Sequence, residues 1–391
     1  MRPPVSIGVS QAEIDARCAL AAETAGLANR RPPVRIFADP PFLCRLCGVP
    51  PAEFIRNPAA MLRAQVSGWK AILEGIDCDN TGPVIGPDFG SAITASTYGC
   101  DLVEREDDFP AYSTWFASDE DLSRLESIDP RTNGLRSVEL DFREQYRAMA
   151  DEFSIRYEGG DVLTPAREAR LGTGSEGPFS IACMIAGFDN VSLWCYDNPA
   201  LVKKLVGIIT AKEIERIRYA FSRMGEPATE ANMADDYSPF VAAEMYEEFI
   251  LPYQKQLMDA FGRKTYFHSC IPDRRLLPRW RDELNICHLN GPKPQHGLAS
   301  LKSDLTPVAE AIGGRASIEI DIDGPNVMIA SEEELRQAAL DFLEVFGSHR
   351  GVALCATLSG GHDPDDLAKM NVLKKTSNRS APYAASCSPD P

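Results

Sequence analysis

Hydrophobic and polar positions along the chain follow two rhythms. Short, near-continuous apolar runs occur at Pro83–Ile85, Phe179–Met184, Ala231–Ala234, Thr265–Phe267, Asn285–His288, Ala316–Ile322 and Gly351–Ala356. Such runs predict parallel strands buried on both faces. Between them the apolar residues space as on helices. Asn198-Pro199 opens one helix through Leu201, Leu205, Ile208 and Ile209; Met245, Phe249, Tyr253, Leu257 and Phe261 recur every four residues, with Gly262 as a stop. Ser331 to Glu334 is a capping box opening a third, through Leu335, Ala338, Phe342 and Phe346. This alternation predicts an α/β chain, a (β/α)8 TIM barrel over residues 81–370. A further, weaker strand is expected around Asp161–Leu163.

Residues 1–80 read as an N-terminal helical extension packed on the barrel. Ser10 to Glu13 caps an Ala-rich helix that should stop near Gly26, and Asn57-Pro58 starts another through Met61, Val66 and Ile72. Pro32-Pro33 and Pro40-Pro41 are expected to break the chain into extended pieces. Residues 371–391, Ser-rich and ending Ser388-Pro389-Asp390-Pro391, are expected to be a disordered tail.

Charge narrows the partners. In 391 residues, 40 basic against 57 acidic side chains give −17. That balance argues against nucleic acid or an anionic membrane surface, since both need a basic footprint. No apolar run approaches the ~20 residues of a membrane-spanning helix. The N-terminus resembles neither a signal nor a transit peptide. The eleven cysteines are scattered and odd in number, which fits reduced thiols in a cytoplasm.

Candidate chemistry sits where strands end. In a barrel, side chains at strand C-termini converge on one face. His268-Ser269-Cys270 ends one strand and Cys355 another; His268 and Cys270, two apart, face the same way. Imidazole and two thiolates with an open fourth position are the ligands of a catalytic zinc. Taken alone, His268 and Cys270 read better as a buried histidine and an inert core thiol; the third sulfur, Cys355, turns the balance to metal. Cys287-His288 ends the next strand, but at most one of them can reach the site. Cys44 and Cys47 form a lone pair best read as structural thiols. Asp235-Asp236 can serve as acid and base or as helix-entry residues. Asp88 follows the first predicted strand. His362 lies in a Gly-rich loop after the Cys355 strand, where either a solvated turn or a substrate role fits.

Several segments resemble the uroporphyrinogen decarboxylase superfamily, and within it the cobalamin-dependent methyltransferase branch. Gly177 to Ala182 is similar to the family's Gly-Pro-aromatic stretch. Asp235-Asp236-Tyr237-Ser238-Pro239-Phe240, followed by Glu244 to Tyr253, is similar to the segment after a central barrel strand. The His-x-Cys…Cys pattern resembles the zinc signature of the methyltransferases. The resemblance implies zinc held by His268, Cys270 and Cys355, catalytic roles for Asp235, Asp236 and His362, and substrate contacts at Asp88 and Tyr237. It implies methyl transfer between a corrinoid and a small thiol, methyl ether or similar molecule. The chain lacks an Asp-x-His-x-x-Gly cobalamin-ligand motif, so the corrinoid is expected on a separate corrinoid-binding protein. Where related methionine synthases place a Glu ligand this chain offers Asn290, leaving Glu319, Asp321 or substrate as the fourth ligand. A metal-free decarboxylase using Asp88 and His362 is the alternative. The decarboxylases' Arg-Gln-Ala-Gly-Arg stretch has no counterpart here; Arg30-Arg31 and Arg35 do not match it.

Overall fold

The computed structural model describes residues 3–105, 108–262 and 264–379. Seven parallel strands form the main sheet: β1 (Val34–Ala38), β2 (Gly174–Ser175), β3 (Glu230–Ala234), β4 (Lys264–His268), β5 (Ile286–Asn290), β6 (Ser317–Ile322) and β7 (Val352–Leu358). Their spatial order is β1-β7-β6-β5-β4-β3-β2. Helices cross between successive strands, so the architecture is the TIM barrel that the alternation predicts. Val34, Ile36 and Ala38 of β1 are buried while Arg35 and Phe37 between them are not. The buried set packs outward against helices, and the alternate set turns into the lumen.

The eighth strand position, between β1 and β2, carries no ladder. Pro83–Ile85, expected as a strand, has no strand pairing; Pro83 and Pro87 lack the N–H groups a ladder needs. Side chains close the seam instead. Asn80 bonds both Ile36 N and Ile36 O at 2.8 Å, and Asp79 accepts from Val34 N at 2.9 Å. Gln65 bonds the O and N of Gly86 at 2.6 and 3.3 Å. On the other margin, Glu139 accepts from Gly172 N at 2.6 Å, and Arg216 donates to the carbonyls of Gly172 and Gly174. Two buried ion pairs carry this margin: Arg136–Glu139 at 2.9 Å and Arg216–Glu213 at 2.7 Å, with Tyr98 Oη donating to Glu213 at 2.8 Å.

Several expected elements need correction. Phe179–Met184 lies in a helix, Pro178–Ala186, buried at every position; a fully buried run has no amphipathic period to separate helix from strand. The barrel does not begin at residue 81, because β1 at Val34–Ala38 pairs with β7. The N-terminal portion also carries the strand Val5–Ser10, which pairs with Ile155–Glu158 in a separate small sheet. The strand near Asp161 exists as Val162–Leu163 but belongs to that small sheet. Pro40-Pro41 opens a helix, Pro40–Cys47, capped by Asp39, and Cys44 and Cys47 lie on it. Burial pushes the Cys44 thiol up to about 12, which fits a structural thiol. Asn371–Arg379 is helical rather than disordered: Lys374 pairs with Asp77 at 2.7 Å and Asp79 at 3.2 Å. The rest of the expected tail lies outside the described residues. The caps at Ser10, Asn57, Asn198 and Ser331 form as expected. Among the described residues no single helix is long and apolar enough to cross a membrane.

The buried pairs beside β2 give the first test. Glu213→Ala leaves the Arg216 guanidinium buried without its carboxylate, a loss of roughly 3–5 kcal/mol. Urea unfolding followed by circular dichroism should show a correspondingly lower midpoint at unchanged slope.

Candidate metal centre

Strand register builds the site. His268 pairs with Asn290, and Asn290 with Glu319, so three polar side chains from β4, β5 and β6 stand side by side on the lumen wall. His268 Nδ1 lies 2.6 Å from Asn290 Oδ1. Asn290 Nδ2 donates to Glu319 at 2.7 Å, and Glu319 is paired with Arg35 of β1 at 2.7 Å. This chain fixes proton positions. Glu319, held by a cation, can only accept, so Asn290 turns its NH2 toward it. Asn290 Oδ1 then faces His268, which must donate from Nδ1. The lone pair is therefore on Nε2. Gly291, at φ +97°, follows β5 directly beneath the imidazole, and a Cβ there would collide with the ring.

The Nε2 lone pair points toward a cluster. Cys270 Sγ is 3.4 Å from it and Asp236 Oδ2 is 3.7 Å from it. The ligand atoms of Asp236, His268 and Cys270 all lie within 4.8 Å of one another. Cys270 N–H donates to Asp236 Oδ1 at 2.8 Å, which leaves Oδ2 facing the imidazole. Without a cation, burial and then the Asp236 carboxylate push the Cys270 thiol up to about 12. One nitrogen, one sulfur and one oxygen around a common point suit a borderline-soft divalent ion, whose charge would reverse that shift. Ser269 is buried, and its hydroxyl donates to the Ile271 carbonyl at 3.4 Å.

Cys355 does not join this group. It lies on β7, three strands round the sheet from β4, which at ~4.8 Å per strand separates the backbones by on the order of 14 Å along the wall. It pairs in register with Asp321 and Arg35, and burial raises its thiol well above the ordinary range, with Glu319 and Asp321 adding to the effect. Glu319 is likewise engaged by Asn290 and Arg35 rather than turned to the cluster.

The two adjacent aspartates divide their roles. Asp235 is fully buried and accepts from Ser238 N at 3.0 Å, Ser180 Oγ at 3.2 Å, Ser238 Oγ and Gln254 Nε2. Four donors make it an anchor for the following segment. Asp236 alone faces the lumen. Tyr237 stacks on Phe188 at 5.5 Å. His362 is buried in its own turn, where Nδ1 takes the Ser359 N–H at 2.8 Å, and it packs edge-on against Phe42; none of these partners belongs to the cluster. Asp88 is half-buried, accepts from Gly90 N at 3.0 Å and has its pKa raised, chiefly by burial. It lines a cavity of ≈ 280 Å³ together with Glu176 and Ala234. His288 bonds Ser317 Oγ at 2.7 Å and stays apart from the cluster.

Three participants escaped the sequence reading. Glu176 has its pKa raised by burial and by Asp236. Lys293, paired with Asp323 at 3.2 Å, brings positive charge near Cys270. Arg35 completes the chain to His268. A usable signal existed: Arg35, Glu319 and Asp321 interrupt apolar strands at alternate positions, and a charge in a strand buried on both faces must meet a partner in the lumen.

The matching family model is that of uroporphyrinogen decarboxylase (URO-D), over residues 30–370. The chain belongs to this family. It is 25% identical over 278 residues to a methylated-thiol–coenzyme M methyltransferase of Methanosarcina mazei, covering 68% of this chain and 67% of that protein. A solved structure of a methyltransferase from Methanosarcina mazei superposes with a TM-score of 0.65 at 16% identity, over 93% of this chain and 98% of the other. Family membership and that superposition both support the TIM barrel, and the relatives include methyltransferases.

Asp321 offers a pH test. Burial raises its pKa to about 6, against a bond from Thr357 Oγ1 at 2.8 Å. The folded state therefore holds a proton that the unfolded chain releases near pH 4. Stability from this group is present below about pH 4 and is lost as pH rises through about 6. Asp321→Asn should raise the melting temperature at pH 8, by the equivalent of roughly 1–3 kcal/mol, and leave it nearly unchanged at pH 4. Calorimetry at the two pH values checks it.

Proposed function

We propose that this protein is a zinc-dependent methyltransferase that moves a methyl group between a corrinoid, carried by a partner corrinoid-binding protein, and a small thiol, methyl ether or similar substrate. One observation carries the reading: Asp236, His268 and Cys270 converge at the mouth of the lumen with the His268 lone pair already turned inward. The methyltransferase among the relatives supports the reaction class, and the corrinoid partner rests on the resemblance to the cobalamin-dependent branch. Free thiols at all ten described cysteines support a reducing, cytoplasmic setting.

His268, Cys270 and Asp236 would hold the ion. Bound there, zinc supplies Lewis acidity, either keeping a substrate thiol as thiolate or polarising an ether oxygen. Asn290, Glu319 and Arg35 keep His268 in the ligating tautomer. Glu176 and Asp88 line the approach from the adjoining cavity, and Tyr237 stands beside it. Asp235 positions Asp236 through the turn it anchors.

Decarboxylation, the alternative, finds less support in the lumen. A polycarboxylate needs cationic partners, and the wall presents Asp88, Glu176, Asp236, Glu319 and Asp321. Its cations are already engaged: Arg35 by Glu319, Arg136 by Glu139 and Lys293 by Asp323.

Metal analysis tests the reading. Purified protein should carry about one zinc per chain, and reloading the chelated protein at pH 8 should release protons as Cys270 ionises. His268→Ala and Cys270→Ser should abolish binding. Asp236→Asn should weaken it strongly, and Cys355→Ser should leave it intact. Loss of zinc from Cys355→Ser but not from Asp236→Asn would move the third donor to β7. A folded protein that takes up no zinc would overturn the proposal. Glu319→Gln can also donate to Asn290, so the amide can reverse and His268 loses its fixed tautomer. Zinc affinity should fall roughly 10–100-fold, read by competition with a chromophoric chelator.

A further inference from the structure

We infer that the open seam of the barrel is the binding site for the body of the methylated substrate, and that this body is neutral and apolar. The inference rests on the proposed methyl transfer for its purpose, but its evidence is independent of the metal. A cavity of ≈ 830 Å³ lies where the eighth strand is missing. That size falls within the ~300–1,000 Å³ of small-molecule pockets. Of the eleven large apolar side chains exposed among the described residues, four line this one cavity: Phe37, Val84, Val162 and Leu163. Val84 is 67% exposed and Phe37 54%. Scattered exposed apolar groups need no explanation, whereas four gathered around one concavity mark a ligand surface.

The cavity leads to the reaction centre. Pro87, Asp88 and Gly172 line both it and the ≈ 280 Å³ cavity that reaches Glu176 and Ala234. Ala234 pairs in register with His268. Phe37 shares a strand face with Arg35, whose guanidinium is in the lumen on Glu319. A molecule lodged against Val84 and Leu163 would thus point its inner end past Asp88 toward Glu176 and Asp236.

Charge selects the class. Asp88 sits at the inner end, and Glu168 is among the lining residues. Among the described residues the cation lining this cavity, Arg170, is held by Glu226 through two bonds of 2.7 Å, and Arg136 of the inner cavity is held by Glu139 at 2.9 Å. An anionic body would meet carboxylates and no free cation, while an aryl or short alkyl body buries itself against Phe37, Val84 and Leu163. Aryl and alkyl methyl thioethers and methyl ethers fit; their carboxylated or sulfonated counterparts do not.

Binding of methyl phenyl sulfide and of its 4-carboxylate, measured by calorimetry and saturation-transfer NMR on zinc-loaded and on chelated full-length protein, tests the inference. The neutral sulfide should bind saturably in both states, and the carboxylate at least tenfold more weakly. Val84→Trp and Leu163→Asp, both at exposed positions, should each weaken the neutral ligand at least tenfold while zinc uptake stays unchanged. No saturable binding of the sulfide, equal binding of the carboxylate, or variants without effect would each overturn it. Because the chelated protein is assayed too, a chain that fails to bind zinc yet binds the sulfide separates failure of the metal reading from failure of this one.

Discussion

The site depends on strand register. His268, Asn290 and Glu319 stand at one level of three neighbouring strands, and Arg35 reaches Glu319 from the edge strand β1. A slip of one residue in any of these strands would turn the polar side chain out into the helix layer. The apolar residues flanking each position, such as Ile318 and Ile320 around Glu319, make that slip costly because they fill the outer core. Packing outside the barrel therefore sets proton positions inside it. The tautomer of one imidazole is settled by a guanidinium three side chains away, through hydrogen bonds that each leave the next group a single choice.

Asp235 and Asp236 illustrate the same division between scaffold and chemistry. Consecutive residues after a strand face opposite ways, so one carboxylate is buried and saturated while its neighbour is left in the lumen. The buried one takes Gln254 and Ser238 and thereby ties the helical segment after β3 to the strand end. That segment passes through a π-turn at Tyr246–Ile250, just before Pro252. Proline cannot continue the regular bond pattern, and the widened turn absorbs the break.

The sheet was legible wherever a strand is apolar on both faces. β3 to β7 appear in the sequence as runs, and their order follows from the alternation with helices. The seam was not, because its segment substitutes side-chain bonds from Gln65, Asp79 and Asn80 for a ladder, and no local pattern records a partner far along the chain. Pro178–Ala186 misled for a different reason: burial on all sides erases periodicity. At the site, His268 and Cys270 were legible as a strand-end pair. That Asp236 would stand beside them was not, since strand-end positions in a sequence do not tell how far round the wall each strand lies. Cys355 lies midway along β7, three strands from β4, whereas Asp236 follows β3, which is adjacent to β4.

The seam also bears on how such an enzyme changes over generations. A hydrogen-bonded ladder is built from backbone and survives almost any substitution, whereas a closure made of glutamine, asparagine and aspartate tethers can be loosened or reshaped one codon at a time. The margin between β1 and β2 is thus the part of the wall most open to mutational drift, and apart from Arg35 on β1 it lies away from the imidazole and its supports on β4, β5 and β6. Novel acceptance of one small molecule over another can arise there without disturbing the machinery across the barrel.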